Sequence, residues 1–589
     1  MKKLISSTIF VLLTVGFVHA QYIIDPTATS GANVFNSLEE FALSLTDRTL
    51  PAGDISITFQ NLVSDLDSSL TARLQPDPTG TVLTIDVLSL GANVSVAPAV
   101  KIQDFIYSTA QGAFTLVVAD DALLDASGNI EQIIRNVGNF TLGAPGSSGA
   151  FTVSALAYEC DRAIIVQNMS ILGGINTFEN IKTAIDANTL EISGGINSFL
   201  HNVGGNRPAI LTKNTGGISC LISGGTNIIE FSSNTGSENP GGGLTSFGSM
   251  RITGGTNSFL NNSALGGDGA IRGCGGGIYA HNWLEITGGT NTFMNNKALG
   301  LGGGIYAVGT VNLLAMDGDL FFSGNKHLVD SETGIGIANA VYANNAVNIS
   351  VAVGRTAIFK DPIISLGTAK RNFNNNHASG EGTQQGTIIF DGSSYLGLDA
   401  ANRTTIYNGE INLTGGRLIL TGSAVFQGTT FTIPSGAVLQ IDAQSKMELS
   451  GMFRFYGYLC LEVNNDISES GQLSTYSVGG LTGDAPQICL DLTGINVPYG
   501  TWNLITIGDG VSTIADNLAL YLMPDGGSDW VRFPVTYNPT TGVWDFTDDI
   551  GRDWTFSNIG TLTLVPEPTT WALLGLSGLA VVLFRKRKS

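Results

Sequence analysis

Ile252-Thr253-Gly254-Gly255-Thr256-Asn257-Ser258-Phe259-Leu260-Asn261-Asn262 returns almost unchanged at Ile286–Asn296, with looser copies at 171–180, 192–202 and 222–234. The Gly-Gly pairs begin at Gly173, Gly194, Gly224, Gly254 and Gly288, in steps of 21, 30, 30 and 34 residues. Periods of this size mark chains in which each unit buries its apolar face only against its neighbours. Within one unit, Leu284-Glu285-Ile286-Thr287 places Leu284 and Ile286 on one face of a strand. The Gly-Gly pair then turns a corner, a place for φ > 0 that glycine takes at little steric cost. The Phe that follows is expected to point inward and stack on the Phe of the next coil. The predicted repeat core is therefore Phe199, Phe231, Phe259, Phe293 and Phe322. Asn stacked on Asn at a repeated corner would form an amide ladder. Helical repeats fit poorly, because each of two glycines per unit would cost a helix about 1 kcal/mol relative to Ala. A propeller lacks its four-strand blade and Trp-Asp signature here. The expected fold is all-β: a right-handed parallel β-helix, or solenoid, with an N-terminal capping region and a C-terminal hydrophobic helix.

A second phrase interleaves with the first. Gly275-Gly276-Gly277-Ile278-Tyr279-Ala280 returns as Gly302-Gly303-Gly304-Ile305-Tyr306-Ala307, and Phe-x-x-Asn recurs at Phe199/Asn202, Phe231/Asn234, Phe259/Asn262, Phe293/Asn296, Phe322/Asn325 and Phe373/Asn376. This pairing of Gly-Gly-x-Ile with Phe-x-x-Asn, over roughly residues 170–380, resembles the repeats of the chlamydial polymorphic outer membrane proteins. The resemblance implies a β-helical, autotransporter-like surface protein with an adhesin-like role. The chain departs from that family at its end, where we read no run of alternating strands long enough for an outer-membrane barrel.

Composition agrees with export. Only 13% of the 589 residues are charged, 76 are Gly, and the net charge is −20. Lys2, Lys3, Arg585, Lys586, Arg587 and Lys588 lie in terminal segments expected to be removed, which leaves 22 basic against 48 acidic residues, or −26. Such a surface repels phosphate backbones, so nucleic acid is not an expected partner. Residues 1–20 read as a signal peptide: Lys2 and Lys3, an apolar Leu4–Phe17, and Val18-His19-Ala20 before Gln21. The five cysteines are odd in number and widely spaced, so neither a disulfide framework nor a CxxC metal site is present. Cys460 and Cys489 fall in adjacent strand-like runs, as a disulfide or as buried thiols.

Residues 21–169 read as an N-terminal β-rich region with a capping helix. There Ser37-Leu38-Glu39-Glu40 fits a capping box, and Leu38, Phe41, Ala42 and Leu45 share a face. Residues 170–470 carry the β-helix repeats, 471–564 a C-terminal β-rich region, and 565–589 a sorting signal with a transmembrane helix. In that tail Val565-Pro566-Glu567-Pro568 precedes an apolar run, Thr569–Phe584, and then Arg585-Lys586-Arg587-Lys588-Ser589. The basic cluster should stay cytoplasmic and leave the body outside. Pro566, Glu567, Pro568, the apolar run and Arg585, Lys586, Arg587 make the tail similar to the PEP-CTERM sorting signal of Gram-negative bacteria. That resemblance implies recognition by an exosortase-type membrane protease, and a place in the cell envelope, on the outer surface or in the extracellular matrix.

Parallel β-helices include polysaccharide lyases and hydrolases, which need paired carboxylates or a calcium-and-base cluster. The acids within the repeats are Asp268, Asp317, Asp319 and Asp330, of which Asp317 and Asp319 could share a face; they lie in a degenerate copy of the repeat, Leu314 to Asp319, so a solvated corner is the better account of them. Gly266-Gly267-Asp268-Gly269 does not match the calcium nonapeptide. His201, His281, His327 and His377 are scattered, and the Gly-rich loops lack the Lys-Ser/Thr of a phosphate cradle. No catalytic, cofactor or metal residue is expected. The function expected is a non-enzymatic surface or matrix protein, adhesin-like or structural, with polysaccharide or surface glycans as candidate partners; the alternative is a secreted polysaccharide-active β-helix enzyme.

Overall fold

The computed structural model describes residues 20–565, apart from 29, 60–73, 80, 88–93, 96–105, 108–112, 121–122, 126–131, 156–159, 205–206, 236–239, 267–272, 329–335, 375–384, 466–471, 480–486, 494, 509–512 and 524–530. The expected signal peptide up to residue 19, the sorting signal from Pro566 onward and the expected C-terminal helix lie outside the described residues. Among the described residues, no helix is long and apolar enough to cross a membrane.

One coil shows the plan. Leu284–Ile286 lies in a broad parallel sheet, Thr287-Gly288-Gly289 turns the chain, and Thr290–Met294 enters a narrower parallel sheet. Asn295 turns again with φ 55°, Lys297–Ala298 joins a short third sheet, and Ile305–Ala307 returns to the broad one. Each strand pairs in register with its counterpart in the next coil, Thr256 on Thr290 and Phe259 on Phe293. Such stacking makes a parallel β-solenoid. Sixteen described strands of the narrow sheet, from Val94–Ser95 to Ala519–Leu522, stack in parallel, which at ~4.8 Å per rung spans roughly 70 Å. The broad sheet changes character along this axis. Arg162–Ile171 and Thr183–Ile192 cross it as single strands of 10 residues; Ile210–Thr212 and Ile218–Ile222 then divide the same width, and Lys446–Phe455 fuses it again.

The two glycines of the repeat serve different needs. A Cβ on Gly254 would stand 2.6 Å from the Ser223 carbonyl oxygen of the coil beneath, so the coils could not approach. Gly255 holds φ 83°, where an L side chain is strained. The next Asn turns inward and builds a ladder. The Nδ2 of Asn176, Asn197, Asn227 and Asn257 donates to the Oδ1 of the following Asn, ending on Asn291, at 2.8, 2.8, 2.8 and 2.9 Å. Each also donates to the carbonyl three residues back, as Asn257 does to Gly254 at 3.0 Å. The opposite corner holds a second ladder, Asn262 to Asn296 to Asn325, with side-chain bonds of 3.0 and 2.9 Å. All these amides are buried and satisfied, the condition under which buried polar groups stabilise rather than cost.

Between the corners runs an apolar column. Phe178 and Phe199 stack at 5.1 Å; Phe259, Phe293, Phe322, Phe359 and Phe390 continue at 4.8, 4.7, 5.1 and 5.4 Å. Beyond Phe390 the position passes in register to Leu420, Ile441, Leu461, Leu490 and Leu522, all buried. Phe231 is a correction to the expected core. It is 47% exposed, holds φ 51° at the corner and stacks on His201 outside the coil at 5.1 Å. Ile229 pairs with Phe199 and Phe259 instead, because the inward residue is the fourth after the Gly pair and Phe231 is the sixth. Its companion Asn234 is displaced likewise: Ser232 takes the ladder position and donates its backbone N–H to Asn262 Oδ1 at 3.0 Å.

The ladders run across the boundaries expected at 169/170 and 470/471. Arg162–Ile171 is bonded on both sides, and Tyr458–Glu462 pairs with Gln487–Asp491. Alternation of apolar residues continues in both flanks without the Gly-Gly phrase. At the N-terminal end the helix Leu38–Ser44 forms as read: Ser37 accepts from the Glu40 N–H at 3.1 Å, and Phe41 packs on Tyr22 and Phe35 at 4.9 and 5.4 Å. At the other end five antiparallel strands between Gly500 and Leu564 bury Trp502, Trp544 and Trp554. That sheet adjoins the last rung through the N–H groups of Leu504 and Ile505, which donate to the Gly560 carbonyl at 3.1 Å each. Cys460 lies in register beside Cys489, both buried, their thiols in hydrogen-bond contact.

Candidate functional site

The outer face of the broad sheet carries the most concentrated surface chemistry. Strand alternation sends Arg251, Glu285, Asn312 and Asn348 outward from four successive coils, in register. Trp283 precedes its strand by one residue and lies beside them. Together with Thr215, Asn282 and Asn345 these residues line a groove of about 880 Å³. Arg251 Nε sits 2.8 Å from Glu285 Oε1, and its guanidinium lies 5.3 Å from the centre of the Trp283 ring. Asn348 Nδ2 donates to Asn312 Oδ1 at 2.8 Å. The division of the sheet into two strands per coil creates the groove, since the chain bends between them at Thr215-Gly216-Gly217, Asn282 and Gly309.

Next to the groove on the same sheet, in the coils just before that of Arg251, lies a knot of charge. Asp186 is buried, yet it faces outward: Arg162 Nη1 reaches its Oδ2 at 3.0 Å, Lys213 Nζ contacts its Oδ1, and Arg207 Nη1 stands 3.9 Å away. Asp161 meets Arg162, Lys182 and Arg207 at 3.4, 3.8 and 3.9 Å. Four cations thus surround two carboxylates on a chain of net charge −20. Neither site was read from sequence, because their residues lie on separate turns of the coil and share no short motif. A 30-residue offset laid over the outward positions would have aligned Arg251 with Glu285 only approximately, since the step there is 34.

The acids considered from sequence sit elsewhere. Asp317 accepts the Gly289 N–H and Asp319 the Thr356 N–H, the latter at 2.9 Å, so each secures a backbone turn between coils. His201 stacks on Phe231, His281 Nδ1 is 3.1 Å from the Tyr279 hydroxyl, and half-burial draws the pKa of His327 down. Asp268, Asp330 and His377 lie outside the described residues. Among the described residues, no three His, Cys, Asp or Glu side chains converge as metal ligands. One buried acid was missed. Asp361 ends the second amide ladder and accepts from Gly324 N, Asn325 N and Asn325 Nδ2 at 2.8, 2.8 and 2.7 Å, and from the Tyr395 hydroxyl. Burial pushes its pKa above the usual carboxylate value against the pull of those bonds.

Parallel strands stacked in register over an apolar column, with polar side chains outward, define the class as a parallel β-solenoid. Comparison with known proteins adds its address. Residues 564–588 match the PEP-CTERM protein-sorting motif, so the chain is an exported protein, and that motif is associated with exosortase processing. The chain is similar to three probable outer membrane proteins of Chlamydia pneumoniae. It is 27% identical to pmp6 over 211 residues, 30% of this chain and 16% of the relative. It is 28% identical to pmp11 over 147 residues, 24% and 16% of the two chains, and 29% identical to pmp13 over 146 residues, 23% and 15%. The match spans about a sixth of those relatives' length. No solved structure matches the chain.

Proposed function

We propose that this chain is a non-enzymatic protein of the cell surface or extracellular matrix, adhesin-like or structural, built as a right-handed β-helix and released from the membrane by cleavage near Pro566–Pro568. The observation that carries the reading is the pairing of a C-terminal sorting motif with a solenoid roughly 70 Å long whose middle coils are locked at their corners by buried amide ladders. Such a body is a spacer and a display surface, since in-register strand pairing from coil to coil holds the outward side chains on fixed columns. The right-handed sense follows from the strong preference of parallel crossovers for it. The similarity to outer membrane proteins supports a surface location. Labelling of intact cells with an antibody to the body tests it: the full chain should be exposed on cells or shed into the matrix, and its mature form should end near Pro568. A protein retained inside the cell, ending at Ser589, overturns the reading.

The charge knot at Asp186 favours a second reading, a polysaccharide-active enzyme in which cations bind an acidic glycan. Both carboxylates there are held in ion pairs, and Glu285 of the groove is paired with Arg251. Neither region offers the two opposed carboxylates that glycoside hydrolysis uses. Release of oligosaccharides that vanishes in Asp186→Asn would establish the enzyme instead.

A further inference from the structure

We infer that the groove around Trp283 is a binding site for a neutral, hydroxyl-rich oligosaccharide. The inference rests on the surface reading and names the partner class of that surface. Three properties select the ligand. The groove is long, covering the outward residues of four coils from Arg251 to Asn348, roughly 14 Å at the spacing of rungs, which suits a short oligosaccharide rather than one sugar. Its charge cancels: the one guanidinium, Arg251, is tied to the one carboxylate, Glu285, at 2.8 Å, so neither a polyanion nor a polycation is favoured. Its polar groups are amides and hydroxyls, which offer donors and acceptors side by side as sugar hydroxyls do.

Trp283 supplies the apolar element. Its ring is held by Arg251 at 5.3 Å and stands half-buried in the lining, the kind of rigid aromatic wall against which the C–H face of a sugar ring packs. The bond from Asn348 to Asn312 uses the Oδ1 of Asn312 and one N–H of Asn348. The Nδ2 of Asn312 and the Oδ1 of Asn348 remain for a ligand, and the Asn345 side chain is exposed beside them. A peptide fits less well. Peptides are captured at strand edges or by apolar pockets, whereas here the backbone is spent in the ladders and Trp283 is the one aromatic side chain of the lining.

Binding of the full-length protein to hexasaccharides of β-1,4-linked glucose, β-1,3-linked glucose and α-1,4-linked galacturonate, measured by calorimetry, decides the matter. At least one neutral hexasaccharide should bind, Trp283→Ala should weaken it at least tenfold, and Tyr499→Ala, a change at an exposed aromatic outside the groove, should leave it unaltered. Trp283→Phe keeps a ring and Asn312→Ala removes an amide. If Trp283→Ala fails to fold, the first should retain binding within a few-fold and the second should lower it severalfold. Binding of the galacturonate alone, neutral binding indifferent to Trp283 and Asn312, or no binding by any of the three overturns the inference. Cell-surface labelling is scored separately, so a protein that is exposed but binds none of the sugars rejects the groove and leaves the surface reading standing.

Discussion

The coils between Ile171 and Asn325 and those between Thr404 and Leu461 share one architecture and reach it differently. In the first group the turn from broad to narrow sheet is Gly-Gly followed by an inward Asn, and the column behind it is largely Phe. In the second the same turn is Thr414-Gly415-Gly416 in one coil and Pro434-Ser435-Gly436 in the next, Leu418 and Leu439 stand in register where Asn stood, the steps are 21 and 20 residues, and the column is Leu420, Ile441 and Leu461. Gly436 also has positive φ, 82°, but a Cβ there would meet nothing within 4 Å. The repeat phrase is thus not what makes a coil. Alternating apolar residues do that in both groups; Gly-Gly-x-Asn adds a buried amide at a corner too close for a methyl group, whereas the second group mixes close corners, such as Gly416 with its Cβ 2.4 Å from the Gly386 carbonyl oxygen, with the open one at Gly436.

The column should show the largest effect. Phe293→Ala removes a ring stacked at 4.8 and 4.7 Å on both neighbours and should cost about 3–5 kcal/mol, read from denaturant unfolding. Leu461→Ala in the later coils should cost somewhat less, about 2–4 kcal/mol. Equal, negligible losses would dissolve the distinction between column and surface.

The corners come next. Gly255→Ala adds a Cβ 2.6 Å from the Gly225 carbonyl oxygen at φ 83°, and should cost about 2–4 kcal/mol. Gly436→Ala suffers only the backbone strain, about 1–2 kcal/mol. If the two cost the same, close packing is not what separates the Gly255 corner from the open one at Gly436.

Asn257→Ala should cost about 2–3 kcal/mol, since it leaves one N–H of Asn227 Nδ2 and the Gly254 carbonyl without their ladder partner in a buried corner. Asn412→Ala, whose half-buried amide makes one long bond of 3.4 Å to Asn372, should fall within about 0.5 kcal/mol of the parent. Thermal midpoints of the two variants separate a structural ladder from a decorative one.

Phe231→Asn should act weakly and in the opposite sense, a gain of about 0.5 kcal/mol. Asn occupies the same corner at Asn261 and Asn295 with φ 55°, and relief of the strained aromatic outweighs its loss of stacking on His201. A clear loss of stability would mean that the outer stack contributes to the fold.

Much of this was legible because the fold is local and periodic. The step between Gly-Gly pairs announced coils, and of the five Phe positions read from Phe-x-x-Asn, Phe199, Phe259, Phe293 and Phe322 are buried. Phe231 misled because the Phe-x-x-Asn pattern was matched without its distance from Gly225; Ile229 stands at the inward count. The extent of the solenoid was under-read for a related reason. Strands such as Arg162–Ile171 and Gln487–Asp491 stack as the repeats do but turn with other residues, so a search for the phrase stops too early.

The sequence by itself determined the repeat, the inward faces of its strands, the need for glycine at the corners and the sorting motif, because each depends on residues near one another in the chain. Tertiary structure alone decided which outward residues meet. Arg251, Trp283, Glu285, Asn312 and Asn348 come from different coils at unequal steps, as do Arg162, Asp186 and Lys213, and only the stacking of one rung on the next sets them on a common face.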